Sequence, residues 1–289
     1  MPGLRNKTRP TLPMKRLRPL HSTRAFAIAL LLIAAPAHAD EIKVMTSGAF
    51  TEAYQQLVQQ FQKATRHTVV TTFGASLGGA QDSIPVRLNR GEPVDVVIVI
   101  ESAFDPLIKG GHIVAGSRVQ LARSIIGAAV RKGTPKPDIS SVAALRQTLL
   151  QAKSIAYSAS ASGTYISTEL FARLGVSDQV KGKTKRIESE RVGAVVARGD
   201  AEIGFQQVSE LLPIAGLDYL GPLPPEVQQV SIVSAAVATK AAARAAAQEL
   251  IDFLASPTAA ATIQKTGLEP VVALTPVKAT KDAKSTNNP

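Results

Sequence analysis

The sequence predicts an α/β fold in two lobes, each built on a doubly wound, mostly parallel sheet. Three observations predict it. Strands and helices alternate from Glu41 onward; residues 94–100 form a continuous apolar run of the kind seen in strands buried on both faces; and a second strand–helix series between Ser154 and Gln206 repeats the build of the first.

Residues 41–47 place Ile42 and Val44 in alternation and end in Ser47-Gly48-Ala49, a strand running into a small-residue turn. Thr51 caps the helix that follows, in which Tyr54, Leu57, Val58 and Phe61 recur at helical spacing. Residues 68–73 are rich in β-branched side chains and stop at Gly74, which completes a βαβ unit with its right-handed crossover. A helix over 83–89 leads to the buried strand at 94–100, and a short helix over 104–109 ends at Gly110-Gly111. Residues 121–130 read as a strand pair leading into the second lobe, after which Pro135, Pro137 and Asp138 interrupt regular structure. The second lobe then reads as a helix at 141–152, a strand at 155–157, a loop at 158–163, a helix at 164–174, a strand at 185–187, a helix at 191–198 and a strand at 203–206. Residues 230–239 return as an apolar strand, followed by helices over 241–255 and 257–265. The predicted boundaries are 40–121 with 231–275 for the first lobe, 122–230 for the second, and a disordered polar tail at 276–289.

The N-terminal segment carries an export signal. Met14-Lys15-Arg16-Leu17-Arg18 with Arg24 is a basic region, residues 25–34 are apolar, and Ala37-His38-Ala39 is a small-x-small cleavage site, so residues 1–39 are expected to be removed. Met14 is an alternative start. The apolar run is shorter than the roughly 20 residues a membrane span requires, which argues against stable membrane insertion. The segment holds seven Lys/Arg and no acid, so the precursor charge of +11 falls to +4 on cleavage. The remaining basic residues are scattered without interleaved aromatics, which argues against a nucleic-acid partner. With no cysteine, thiolate chemistry and disulfides are excluded. His67 and His112 are too few and too far apart to spell a metal cluster, and neither a metal nor a cofactor is expected. The expected product is a periplasmic monomer.

Particular stretches carry a resemblance. Ser47-Gly48-Ala49-Phe50-Thr51, Phe73-Gly74-Ala75-Ser76, the run from Arg90-Gly91-Glu92-Pro93 to Ile98, and Ser256-Pro257-Thr258-Ala259-Ala260 are similar to the molybdate-binding-protein branch of type II periplasmic binding proteins. The resemblance spans nearly the whole chain after residue 39 and implies two lobes joined by crossing strands, with a small anion held in the interlobe cleft. In the oxyanion binders of that family a serine stands where this chain has Ala49, and a tyrosine lies near Gln206-Gln207, so molybdate is a poor fit. Residues 83–93, 154–163 and 203–212 are similar to the subgroup of bacterial aconitate isomerase, which implies a polycarboxylate ligand and an allylic proton shift. The alternative within the same fold is a non-catalytic receptor delivering an oxyanion or organic acid to an ABC permease.

Helix starts bind anions through free backbone N–H groups. The corresponding loops supply Ser47, Gly48, Ser76, Ser160 and Ser162 as candidate ligand residues, with Gln207 at the end of a strand. Carboxylates favour the planar guanidinium, which nominates Arg87 and Arg191. Glu101 follows the buried strand of the first lobe, where open α/β sheets present functional groups, and is the candidate base. Tyr165 is the candidate proton donor or relay. The serine-rich loop at 158–163 has neither an adjacent His in a hydrolase motif nor a following Gly-Lys-Ser/Thr, which excludes nucleophilic hydrolysis and a phosphate loop.

Overall fold

The computed structural model describes residues 39–271, so the signal segment and the tail beyond 275 lie outside the described residues, apart from Ala39 at the cleavage site. Ten strands form one sheet: β1 Glu41–Thr46, β2 Thr68–Phe73, β3 Val96–Ile100, β4 Val119–Arg131, β5 Ile155–Ser158, β6 Thr184–Ile187, β7 Ile203–Gln207, β8 Leu217–Pro222, β9 Val230–Val237 and β10 Glu269–Pro270. The order is β2-β1-β3-β9-β4-β7-β5-β6, with β8 and β10 also on β4. Within it β2, β1 and β3 are mutually parallel, as are β6, β5 and β7. Each parallel trio is joined to the rest by antiparallel pairing, β3 to β9 and β7 to β4.

The two lobes follow from how these strands are buried. Val96 and Ile98 of β3 pack in one core with Tyr54, Leu57 and Phe61 of the helix Thr51–Thr65 and Leu250, Ile251 and Leu254 of the helix Arg244–Leu254. Val97 and Val99 enter a second core on the opposite face, with Ile84, Leu88, Phe104 and Leu107. Apolar residues must therefore occupy every position of β3, which is why its sequence does not alternate. The other lobe is built likewise, Ile155 of β5 facing one core and Ala156 the other. Asp95 is the exception next to β3: it is buried, and its carboxylate accepts backbone N–H groups of Lys43 at 2.7 Å, Ala242 at 2.7 Å and Ala243 at 3.0 Å. Three such hydrogen bonds replace lost hydration and fasten β1 to the approach of the last lobe-one helices.

Residues 119–131 are one 13-residue strand, where the sequence suggested a strand pair. Its first half pairs with β9 and its second half with β7 and β8, so β4 passes from one lobe to the other. The polar interruption at Arg123-Ser124 does not turn the chain. Arg123 pairs with Glu269 at 3.0 Å, and the Ser124 hydroxyl donates to Gln207 Oε1 at 2.7 Å. The strand β8 was also not anticipated from the sequence.

Candidate functional site

Six of the predicted ligand residues converge. Ser47, Gly48, Ser76, Ser160, Ser162 and Gln207 all line one small inner cavity of about 20 Å³, together with Ala49, Ile100, Ala161 and Glu210. Gly48, Ser160 and Glu210 also border an outer cavity of about 360 Å³, whose wall includes Thr51, Phe73, Asp82, Arg191 and Gln206. The inner cavity has room for little more than one water-sized group, while the outer one falls within the size range of small-molecule sites. Both lie between the lobes at the C-terminal ends of β1, β5 and β7. In each lobe the site sits at the point where the strand order reverses, between β1 and β3 and between β5 and β7.

Local sequence explains how these groups are held. Ser47 follows β1 and leads through the turn Gly48–Phe50 into the helix Thr51–Thr65. Thr51 does not cap that helix with its side chain; its hydroxyl instead donates to the Ser47 carbonyl at 3.3 Å. The second-lobe helix begins at Ala161, three residues before the sequence suggested, and runs on through a π-helical turn at Ile166–Leu170 to Arg173. Ser160 is therefore its N-cap position, and the loop is shorter than expected. Gly163 is required there, because a Cβ on it would lie 1.6 Å from the Ser158 carbonyl oxygen. Ser162 shares a 3.1 Å hydrogen bond with the Ser158 hydroxyl, Ser76 accepts the Ile100 N–H at 3.2 Å, and Gln207 is anchored by Ser124 and by Ser231 at 3.3 Å.

Three buried polar atoms at this junction have no partner among the described residues: Thr46 Oγ1, Ser47 Oγ and Gln206 Oε1. Ser47 and Gln206 line the inner and outer cavities respectively. Leaving a polar atom buried and unpaired typically costs about 1–3 kcal/mol, so Ser47 Oγ and Gln206 Oε1 are open to a ligand or water that enters these cavities.

Glu210 was not singled out from the sequence. It follows β7 in the short helix Val208–Leu211, and Gln206 donates to its Oε1 at 2.9 Å. It is half-buried and lines both cavities. Burial pushes its carboxyl up from the usual 4.5 to about 7, opposed by the Arg191 guanidinium and by the Gln206 amide. Across the lobe boundary, Ser209 donates to the Ala49 carbonyl at 2.7 Å, and Arg191 pairs with Glu52 of the first-lobe helix at 3.2 Å.

The remaining predictions fall elsewhere. Arg87 lines neither cavity; its guanidinium is taken by Glu92 at 2.9 Å and the Asp82 carbonyl at 3.0 Å, pairings favoured because all three groups share one loop and short helix. Glu101 and Tyr165 line a neighbouring cavity of about 290 Å³ with Glu169 and Ser231. Both oxygens of Glu101 are engaged, one by the Ser234 hydroxyl and one by Arg118 at 3.0 Å. The Tyr165 hydroxyl donates to the Val227 carbonyl at 2.7 Å and accepts from Arg173 at 3.1 Å, tying the helix to the lobe core. A larger cavity of about 660 Å³, bordered by Arg131, Lys153 and Ile203, lies at the N-terminal ends of β5 and β7, the end away from the helix starts. His67 is stacked on Phe61 and accepts the Asp40 N–H at 3.0 Å, a structural role. No group of three or more metal-ligating side chains occurs among the described residues, and no described helix is long and apolar enough to cross a membrane.

Two α/β lobes joined through the long strand β4, with helix starts from both facing one cleft, have the architecture of a two-lobed binding protein. The chain belongs to the bacterial extracellular solute-binding protein family, which matches residues 42–269. It is 42% identical over 249 residues to the aconitate isomerase of a Pseudomonas species, covering 85% of this chain and 95% of that protein. It is 30% identical over 248 residues to the molybdate-binding protein ModA of Azotobacter vinelandii, covering 82% and 92%. The solved periplasmic molybdate-binding protein of that organism superposes with a TM-score of 0.61 at 23% identity, covering 80% of this chain and 99% of that one. The predicted two-lobed binding-protein fold of the molybdate-binding type is therefore the observed one.

Proposed function

We propose that this protein, exported to the periplasm, binds a small polycarboxylate between its lobes and interconverts cis- and trans-aconitate by an allylic proton shift. The observation that carries this reading is the composition of the cleft: a carboxyl group poised near neutrality stands beside unpartnered hydroxyl and amide oxygens and the helix starts at Gly48 and Ala161. Helix starts and hydroxyls suit the substrate carboxylates, and a carboxyl that titrates near 7 can both accept and release a proton at physiological pH. The 42% identity to a protein that bears the name aconitate isomerase supports the same assignment. Ala49 and the Gln206-Gln207 pair, which replace the serine and tyrosine of oxyanion binders, speak against molybdate. The chain acts without a cofactor in this reading.

The test is to incubate the purified protein with trans-aconitate and resolve the products by chromatography. Cis-aconitate is expected to accumulate to the same equilibrium ratio from either isomer. Absence of conversion, together with a rise in melting temperature caused by molybdate or sulfate and not by aconitate, would replace the isomerase with a receptor that hands an anion to an ABC permease.

A further inference from the structure

We infer that Glu210 is the catalytic residue that carries the proton in this cleft, an inference that rests on the isomerase reading above. Among the described residues it is the single titratable side chain lining the inner cavity. Its Oε1 is oriented by the Gln206 amide at 2.9 Å, and its second oxygen accepts no hydrogen bond among the described residues, which leaves one lone-pair face free for a substrate proton. Glu101 has no such free oxygen, because Ser234 and Arg118 occupy both.

The surroundings fit the role. Gly48 faces Glu210 from the first lobe so closely that a Cβ there would force the carboxyl to move, which places the carboxyl against the turn leading into the lobe-one helix. The unpartnered Ser47 hydroxyl lines the same cavity and can hydrogen-bond a substrate carboxylate as charge builds on it. The charged groups that share the outer cavity with Glu210 are Arg191, Asp82, Glu188 and Glu190. Among them Arg191 favours the carboxylate form, while burial favours the acid. Both forms are thus accessible at neutral pH, as a group that takes and gives back one proton requires.

The step balances without a second reactant. The Glu210 carboxylate takes a proton from the methylene carbon between a substrate carboxylate and the double bond; that C–H bond breaks, and its electron pair delocalises over the allylic carbons and the attached carboxylate. The neutral Glu210 then delivers the proton to the far allylic carbon. One C–H bond is lost and one is formed, the double bond has moved, and its cis or trans geometry follows from the rotamer in which the substrate was held. No electron leaves the substrate and no oxidant is needed.

The experiment compares wild type, E210Q, E210D and E101Q for trans-aconitate turnover and for the pH profile of kcat/KM. E210Q should lose about 10³-fold in kcat with KM changed less than tenfold, in keeping with the usual contribution of general acid–base catalysis. Wild type should lose kcat/KM on the acid side with a midpoint near 7, and E210D should retain measurable turnover. E210Q should melt no lower than wild type at pH 8, which separates loss of chemistry from loss of fold. An E210Q protein within tenfold of wild type, or an E101Q protein that loses activity while E210Q keeps it, overturns the inference and leaves the isomerase reading intact. A wild type that converts no aconitate removes both.

Discussion

A methyl group added at Gly48 would sit 2.1 Å from Oε1 of Glu210, well inside contact distance. One of the two must then move, and the flexible carboxyl is the one that gives way. Gly48→Ala is therefore expected to fold, with its melting temperature within a few degrees of wild type, and to lose turnover by at least tenfold because the carboxyl as a whole is pushed from its place and its free oxygen moves with it. Wild-type kcat in that variant would contradict the close approach. At this scale the sequence was informative where function needs small residues at strand ends: Ser47, Gly48, Ser76, Ser160, Ser162 and Gln207 do line one cavity. Glu210 was hidden because it falls between Val208 and Leu211-Leu212, a stretch that reads as packing. The rule that nominated Glu101, a charged group just beyond the C-terminal end of a buried strand at the sheet's reversal point, applies equally to β7 and would have found Glu210. Glu101 satisfies the same rule in the first lobe, but no sequence pattern announces that Arg118 and Ser234 will claim its oxygens.

Between elements, the clearest link is the ion pair of Arg191, at the start of the helix Val192–Arg198, with Glu52 in the helix Thr51–Thr65. About a third of each side chain remains exposed, 31% and 27%, so the pair strengthens the contact between the two helices by no more than about 1 kcal/mol. Arg191 also acts electrically on Glu210. Arg191 holds the Glu210 carboxyl down, so R191Q should raise the acid-side midpoint of the kcat/KM profile, and E52Q, which keeps the guanidinium, should not. Equal midpoints in wild type and R191Q would detach Arg191 from the site. Most helices and parallel strands were legible from periodicity. The long crossing strand was not, since its two halves serve different partners and Arg123-Ser124 breaks the apolar run at the changeover. The early start of the second-lobe helix was also concealed: Ala161 and Ser162 are small enough to read as loop, and only the contact of Gly163 with Ser158 makes helix geometry necessary there.

For the molecule as a whole, the strained ionisation of Glu210 has a stability signature. Its carboxyl binds a proton more tightly in the folded state, at about 7, than in the unfolded chain, near 4.5. The folded state is thus favoured most below about pH 4.5, and this contribution is lost as pH rises through about 7. At 1.36 kcal/mol per pH unit the full effect approaches about 3 kcal/mol, reduced by the water that reaches the carboxyl from the cleft. Urea unfolding should accordingly show E210Q gaining about 1–2 kcal/mol on wild type between pH 5 and pH 8; an unchanged difference would mean that Glu210 ionises freely. The overall architecture was readable because the apolar patterns of β1, β3, β5 and β7 and the helices between them leave few alternatives. What the site does was less readable, since receptors and isomerases can share one fold and differ in a few side chains. The most direct measurement is a crystal structure of the E210Q protein, which should trap unreacted substrate, with trans-aconitate. The predicted result is one ligand between the lobes, a carboxylate within hydrogen-bonding distance of Ser47 Oγ and an allylic carbon against residue 210. Ordered ligand beside Glu101 and Tyr165, or an empty cleft at saturating aconitate, would contradict it.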